Sequence, residues 1–240
     1  MAKARVWVLW GLVWLVSGAT AEKRLLSLSE AELTGQYVFR GARCGPTGIL
    51  RYSHTDYKLT SQWHVRYNSW SYIHLDEGIG FGESRHGLSV RYHVSPLWSV
   101  EAGGTYYDRP NQPAPLPPRG KSTGEGYATA TFHVPFEPRI TAAYDFRQRV
   151  GTYVELGGKE RFTLGHNGWR GELLADVGYA TRQARGLTAG HVRLALWYPL
   201  DKHLFVGPGF DLWVPSKRAD PGANYFRGAL SLGVAYGLKF

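Results

Sequence analysis

The chain has 240 residues, a formal net charge of +9, one cysteine, and abundant glycine, tyrosine and tryptophan. A single thiol, Cys44, excludes an internal disulfide and a cysteine-built metal site. The basic excess suits contact with anionic headgroups or solutes and does not by itself call for nucleic acid.

The first segment reads as an export signal. Lys3 and Arg5 precede an apolar run from Val6 to Val16, and Ala19-Thr20-Ala21 closes it with small residues. A helical membrane span needs roughly 20 apolar residues, so this run is too short to be one. Cleavage is expected before Glu22, leaving 1–21 as signal peptide. Lys3 and Arg5 leave with it and no acid does, so the mature charge is 9 − 2 = +7. Residues 22–32 read as a short periplasmic lead-in.

From residue 33 to 240 the pattern is alternation with period two, the signature of strands whose side chains point to opposite faces. Trp63, Val65 and Tyr67 alternate with Gln62, His64 and Arg66. Leu88, Val90, Tyr92 and Val94 alternate with Ser89, Arg91 and His93. Ile140, Ala142, Tyr144 and Phe146 alternate with Thr141, Ala143, Asp145 and Arg147, and Val192 to Tyr198 repeats the scheme against His191 and Arg193. In the last segment Phe226, Leu230, Leu232, Val234, Tyr236, Leu238 and Phe240 share one face.

Large apolar residues on one side and arginines on the other predict an all-β fold, a transmembrane antiparallel up-and-down barrel of about twelve strands, with ten also compatible. The strands are expected near 33–40, 48–55, 58–67, 87–94, 97–107, 125–134, 138–147, 150–160, 169–180, 187–198, 203–214 and 225–240. Connections near 68–86, 108–124 and 215–224 are long and would be extracellular. Those at His54–Tyr57, Ser95-Pro96, Pro135–Pro138 and Pro199–Lys202 are short and would be periplasmic. Arg161–Gly168 is long for its place in that scheme.

The polar face supplies the candidate pore lining: Arg66, Arg91, Arg147, Arg193, Arg227, Glu101, Asp145, Glu155, Asp176 and Asp211. Arg40, Arg51, Arg139, Lys159, Arg170 and Glu172 are read onto the same side. Charges inside a membrane protein are costly unless solvated or paired, so they mark a wet channel or a paired network filling the interior. A ring of arginines would favour anions. The outer connections carry Arg119, Lys121, Arg182, Arg185, Lys217 and Arg218, a basic rim suited to lipopolysaccharide phosphates or to gathering anionic solutes.

Two resemblances add to this reading. The closing residues Tyr236, Leu238 and Phe240 resemble the C-terminal signal of Gram-negative outer-membrane proteins, which implies delivery to the barrel-assembly machinery. Gln36–Gly41, Ala143–Phe146 and Gly151–Gly157 resemble strands of the TorF family of porin-like proteins, which implies a barrel whose transport role is unproven.

Hydrolytic chemistry would need a histidine and a serine on one face, two residues apart along a strand or opposed across two. His86 and Ser89 are three apart, and Ser53 and His54 are adjacent, so both pairs are split between faces. No H-E-x-x-H spacing occurs, and Gly78–Gly82 does not open a helix as a phosphate loop would. The expectation is therefore a monomeric, cofactor-free, non-enzymatic porin for small hydrophilic solutes with mild anion preference. The alternative is a closed structural barrel whose loops contact lipopolysaccharide or a partner.

Overall fold

Strands with one apolar and one polar face can hide both the polar face and the sheet edges only by closing on themselves. The computed structural model describes residues 24–35, 37–39, 42–75, 80–108, 122–146, 151–165, 168–181, 186–201, 203–216 and 225–239, with 37–44, 80–81 and 225–239 as backbone only. The signal-peptide segment, Arg147, Phe240 and all six rim cations lie outside the described residues.

The strands in chain order are β1 (Arg24–Thr34), β2 (Tyr37–Phe39), β3 (Ala42–Gly45), β4 (Gly48–Lys58), β5 (Trp63–His74), β6 (Gly80–Ser95), β7 (Trp98–Asp108), β8 (Ser122–Phe132), β9 (Arg139–Asp145), β10 (Thr152–Leu164), β11 (Trp169–Ala180), β12 (Gly186–Pro199), β13 (Leu204–Pro215) and β14 (Tyr225–Lys239). Twelve of them close a barrel, each antiparallel to its neighbours. Strands β2 and β3 form a separate hairpin in the connection between β1 and β4. Closure is made by β1, which pairs along its whole length with β14 on one side and β4 on the other.

The strand count agrees with the sequence reading, but three boundaries need correction. The expected lead-in at 22–32 is almost wholly strand β1, and the strand expected at 33–40 splits between the end of β1 and the β2–β3 hairpin. The turn expected at His54–Tyr57 falls inside β4, and the chain reverses at 59–62, where the Thr60 hydroxyl accepts from the Gln62 and Trp63 amides. The outer loop expected at 68–86 is mostly wall, since β5 runs to His74 and β6 starts at Gly80. In all three places the outer face carries serine, threonine or histidine, and a reading tuned to apolar alternation stops there.

The ends of the barrel are unequal. Connections at one end run over 35–47, 75–79, 109–121, 146–151, 181–185 and 216–224; those at the other run over 59–62, 96–97, 133–138, 165–168 and 200–203. The first half of the stretch that looked long, Arg161–Gly168, is strand, and β10 turns through Gly165 and Gly168 at φ +61° and +75°, which suits residues without a Cβ. Near the short-turn end, cross-strand aromatic pairs Trp63–Tyr92, Trp98–Phe132 and Trp169–Tyr198 lie with ring centres 4.6, 6.5 and 5.2 Å apart. Tyr106, Tyr144, Phe146 and Tyr179 stand exposed toward the other end. Two aromatic belts on the outer wall are what a membrane-spanning barrel needs at its interfaces.

Candidate pore lining

Which face is inside is settled by bonds that skip strands. Arg193 on β12 reaches Glu32 on β1 at 2.7 Å, passing β13 and β14, and Arg66 on β5 reaches Glu101 on β7 at 3.3 Å, passing β6. Such contacts exist only across the concave side. The opposite face carries Leu88, Leu156, Leu187 and Leu212, exposed by 52, 57, 61 and 45%.

Three groups of side chains line the interior. In the first, Glu101 collects Arg91 through Nη2 at 2.7 Å and Nε at 3.0 Å, the Ser89 hydroxyl at 2.8 Å and the Tyr127 hydroxyl at 3.1 Å. Arg66 joins it to Asp56, donating at 2.7 Å, and His64 Nδ1 lies 2.8 Å from the same carboxylate. His64, His93 and His133 then form a file with ring centres 5.0 and 5.6 Å apart, ending on Ser99.

In the second group His191 sits between Asp176 at 3.0 Å and Asp211 at 2.8 Å, stacked 3.9 Å from Trp213. Both ring nitrogens can donate to carboxylates only in the charged imidazolium form. Asp211 also lies 3.7 Å from Arg193.

In the third, the Arg85 guanidinium lies over the Trp70 and Tyr107 rings at 4.4 and 5.0 Å and donates to Glu83 at 2.5 Å. Tyr107 donates to Glu125 at 3.1 Å, and Thr123 to Asp145 at 2.8 Å. Arg139 and Glu155 pair apart from these groups at 3.0 Å.

The sequence-predicted lining thus comes together on one face. Arg66, Arg91, Arg193, Glu101, Asp145, Glu155, Asp176 and Asp211 all point inward, and the register sets Arg227 opposite Asp211. The arginines differ from expectation in their company, for each of Arg66, Arg91 and Arg193 contacts at least one carboxylate.

Arg51 is on the outer wall, because β4 turns Leu50 and Tyr52 inward and Arg51 and Ser53 outward, against what polarity alone predicts. Glu32, Asp56, Glu83 and Glu125 were missed as partners. Glu32 falls in the segment read as a lead-in, Asp56 in the misplaced turn and Glu83 in the misplaced loop; Glu125 stands on the boundary expected between loop and strand, inside β8.

Also missed was Ser84, two residues before His86 on the same face, and Ser69, which the register sets opposite His86. Among the described residues neither hydroxyl bonds the ring, whose Nδ1 is engaged by the Tyr67 hydroxyl at 2.9 Å. Among the described residues no three metal-ligating side chains are arranged to hold an ion.

No family model matches the chain, and no curated protein matches it either. Solved structures do. The NanC porin superposes with a TM-score of 0.54 at 10% identity, covering 89% of this chain and 100% of its own. LpxR from Salmonella typhimurium gives 0.53 at 9%, covering 88 and 99%. Outer membrane phospholipase A from Escherichia coli gives 0.50 at 15%, covering 89 and 92%. At such identities the likeness establishes the outer-membrane barrel fold, which porins and enzymes share.

Proposed function

We propose that this barrel passes small hydrophilic solutes by diffusion across a bacterial outer membrane, with weak charge selectivity, and that it turns over no substrate. The observation that carries the reading is the state of the inward ionic side chains. Those of Arg66, Arg91 and Arg139 keep 19, 24 and 30% of their surface accessible even while paired. A dry, filled interior would bury such groups, whereas a wet wall leaves them partly solvated. Twelve strands lie between the packed eight-strand barrels and the open porins, which suits a narrow path.

Paired arginines argue for weaker anion preference than an arginine ring alone would impose. The rest of the reading stands on sequence: export by cleavage before Glu22, insertion through the assembly machinery at Phe240, a basic rim on lipopolysaccharide, a monomer, and kinship with the TorF barrels. Current through the refolded protein in a planar bilayer under a salt gradient tests the proposal. Discrete steps with a reversal potential near zero are expected; a folded, inserted barrel that stays silent would sink it in favour of a closed, structural barrel.

A further inference from the structure

The outer wall has a hollow of about 390 Å³ in the half nearer the long connections. Tyr67, Leu88, Tyr106 and Phe146 rim it, each exposed by 44% or more. Its floor is backbone at Gly104 and Gly124, where the wall has no side chain to offer.

Folding does not require those two glycines. A Cβ at Gly124 would meet nothing within 4 Å, and one at Gly104 would meet only the Glu125 carbonyl at an ordinary 3.5 Å. Their neighbours behave differently: a Cβ at Gly103 would strike Leu88 O at 2.6 Å, and one at Gly126 the Phe146 ring at 2.7 Å. Glycine weakens a strand and often marks where another molecule approaches the backbone closely. The register lines up His86, Tyr106 and Gly124 across three strands, so an imidazole stands at the margin of the hollow. Tyr67 holds its Nδ1 at 2.9 Å, fixing the ring's orientation, and Ser84 lies two residues along the same face.

We infer that this hollow is a lipid site on the outer-leaflet side of the wall, taking one acyl chain of a lipid A-type glycolipid, with His86 at its ester or phosphate oxygens. An acyl chain fits because the wall around the hollow faces hydrocarbon and the cleft is apolar and floored by backbone, with the Tyr67–His86 pair at its edge for an ester or phosphate oxygen. Its place in the half nearer the long connections, extracellular in such barrels, makes the occupant the outer-leaflet glycolipid. The site rests on the outer-membrane placement and not on conduction.

The test is native mass spectrometry of the detergent-purified barrel titrated with lipid A, with palmitoyl-oleoyl phosphatidylethanolamine as comparison. One retained lipid A per barrel is expected. Gly124→Leu should lower its occupancy about tenfold and His86→Ala about threefold, with the heat-dependent gel shift unchanged. If Gly124→Leu loses that shift, Gly104→Ala, whose methyl meets only ordinary contact, takes its place. Equal retention by the filled variant, equal retention of the phosphatidylethanolamine, release of fatty acid from either lipid, or a dimer that filling abolishes would each overturn the assignment. A wild-type barrel that never shifts on heating would instead indict the membrane reading beneath it.

Discussion

Glu101 accepts from two arginines, a serine and a tyrosine, and that crowding decides what its removal would do. Glu101→Gln keeps the shape but leaves Arg91 without its carboxylate and Arg66 with Asp56 alone. The reversal potential of the conducting barrel should then move toward anions; an unchanged value would deny the pair any part in selectivity. His191 is the opposite case, an imidazole set between two acids, one of them only 2% exposed. His191→Ala leaves those carboxylates facing each other, and removing one partner of a buried ionic group costs about 3–5 kcal/mol. Urea titration of the refolded barrel should show that loss, with His191→Lys restoring part of it. Arg66, Arg91 and Arg193 were legible as lining from residue type and alternation. Their pairings were not, because a contact such as that between β12 and β1 joins residues far apart in sequence.

Individual strands differ in how plainly they declare their faces. From Gly190 onward strand β12 alternates cleanly, and both its faces follow from polarity there: Val192 and Leu194 out, His191 and Arg193 in, while an irregularity at 187–189 turns Leu187 outward too. Strand β4 does not, and its outer face carries Arg51, Ser53 and Thr55, the last 3.4 Å from Ser27 of β1. This seam explains why β1 escaped detection, since its outer face is also serine-rich and its ends carry leucines toward both sides. The distinction is testable on a strand whose outer face is unambiguous. Leu156 on β10 is 57% exposed, and Leu156→Arg would set a charge in hydrocarbon, costing about 2–4 kcal/mol near mid-membrane. Refolding into phosphatidylcholine vesicles should show that deficit, whereas Arg at Thr141, inside the barrel beside Thr129, should leave stability nearly unchanged.

At the scale of the molecule, β1 and β14 are the closure. Their register runs from Arg24 opposite Lys239 to Thr34 opposite Ala229, so every group of one edge is met by the other. Deleting 24–34 would open two edges in lipid, where unpaired backbone has no partner. Such a variant should lose the heat-dependent gel shift, while deletion of 37–45, the β2–β3 hairpin, should keep it. The strand number, the antiparallel order and the division between long and short connections could be read from sequence alone, because period two and turn residues are local properties. The sequence also assigned most of the inward arginines, since polarity sorts them strand by strand, but it put Arg51 on the wrong face and missed Glu32, Asp56 and Glu83, where the strand bounds were misplaced. Only the closed sheet decided the rest: that the chain enters the barrel at Arg24, that the arginines are matched by acids from other strands, and that two unneeded glycines leave a hollow facing lipid. Each depends on which strand lies beside which and at what register, and closure fixes that for all twelve strands together.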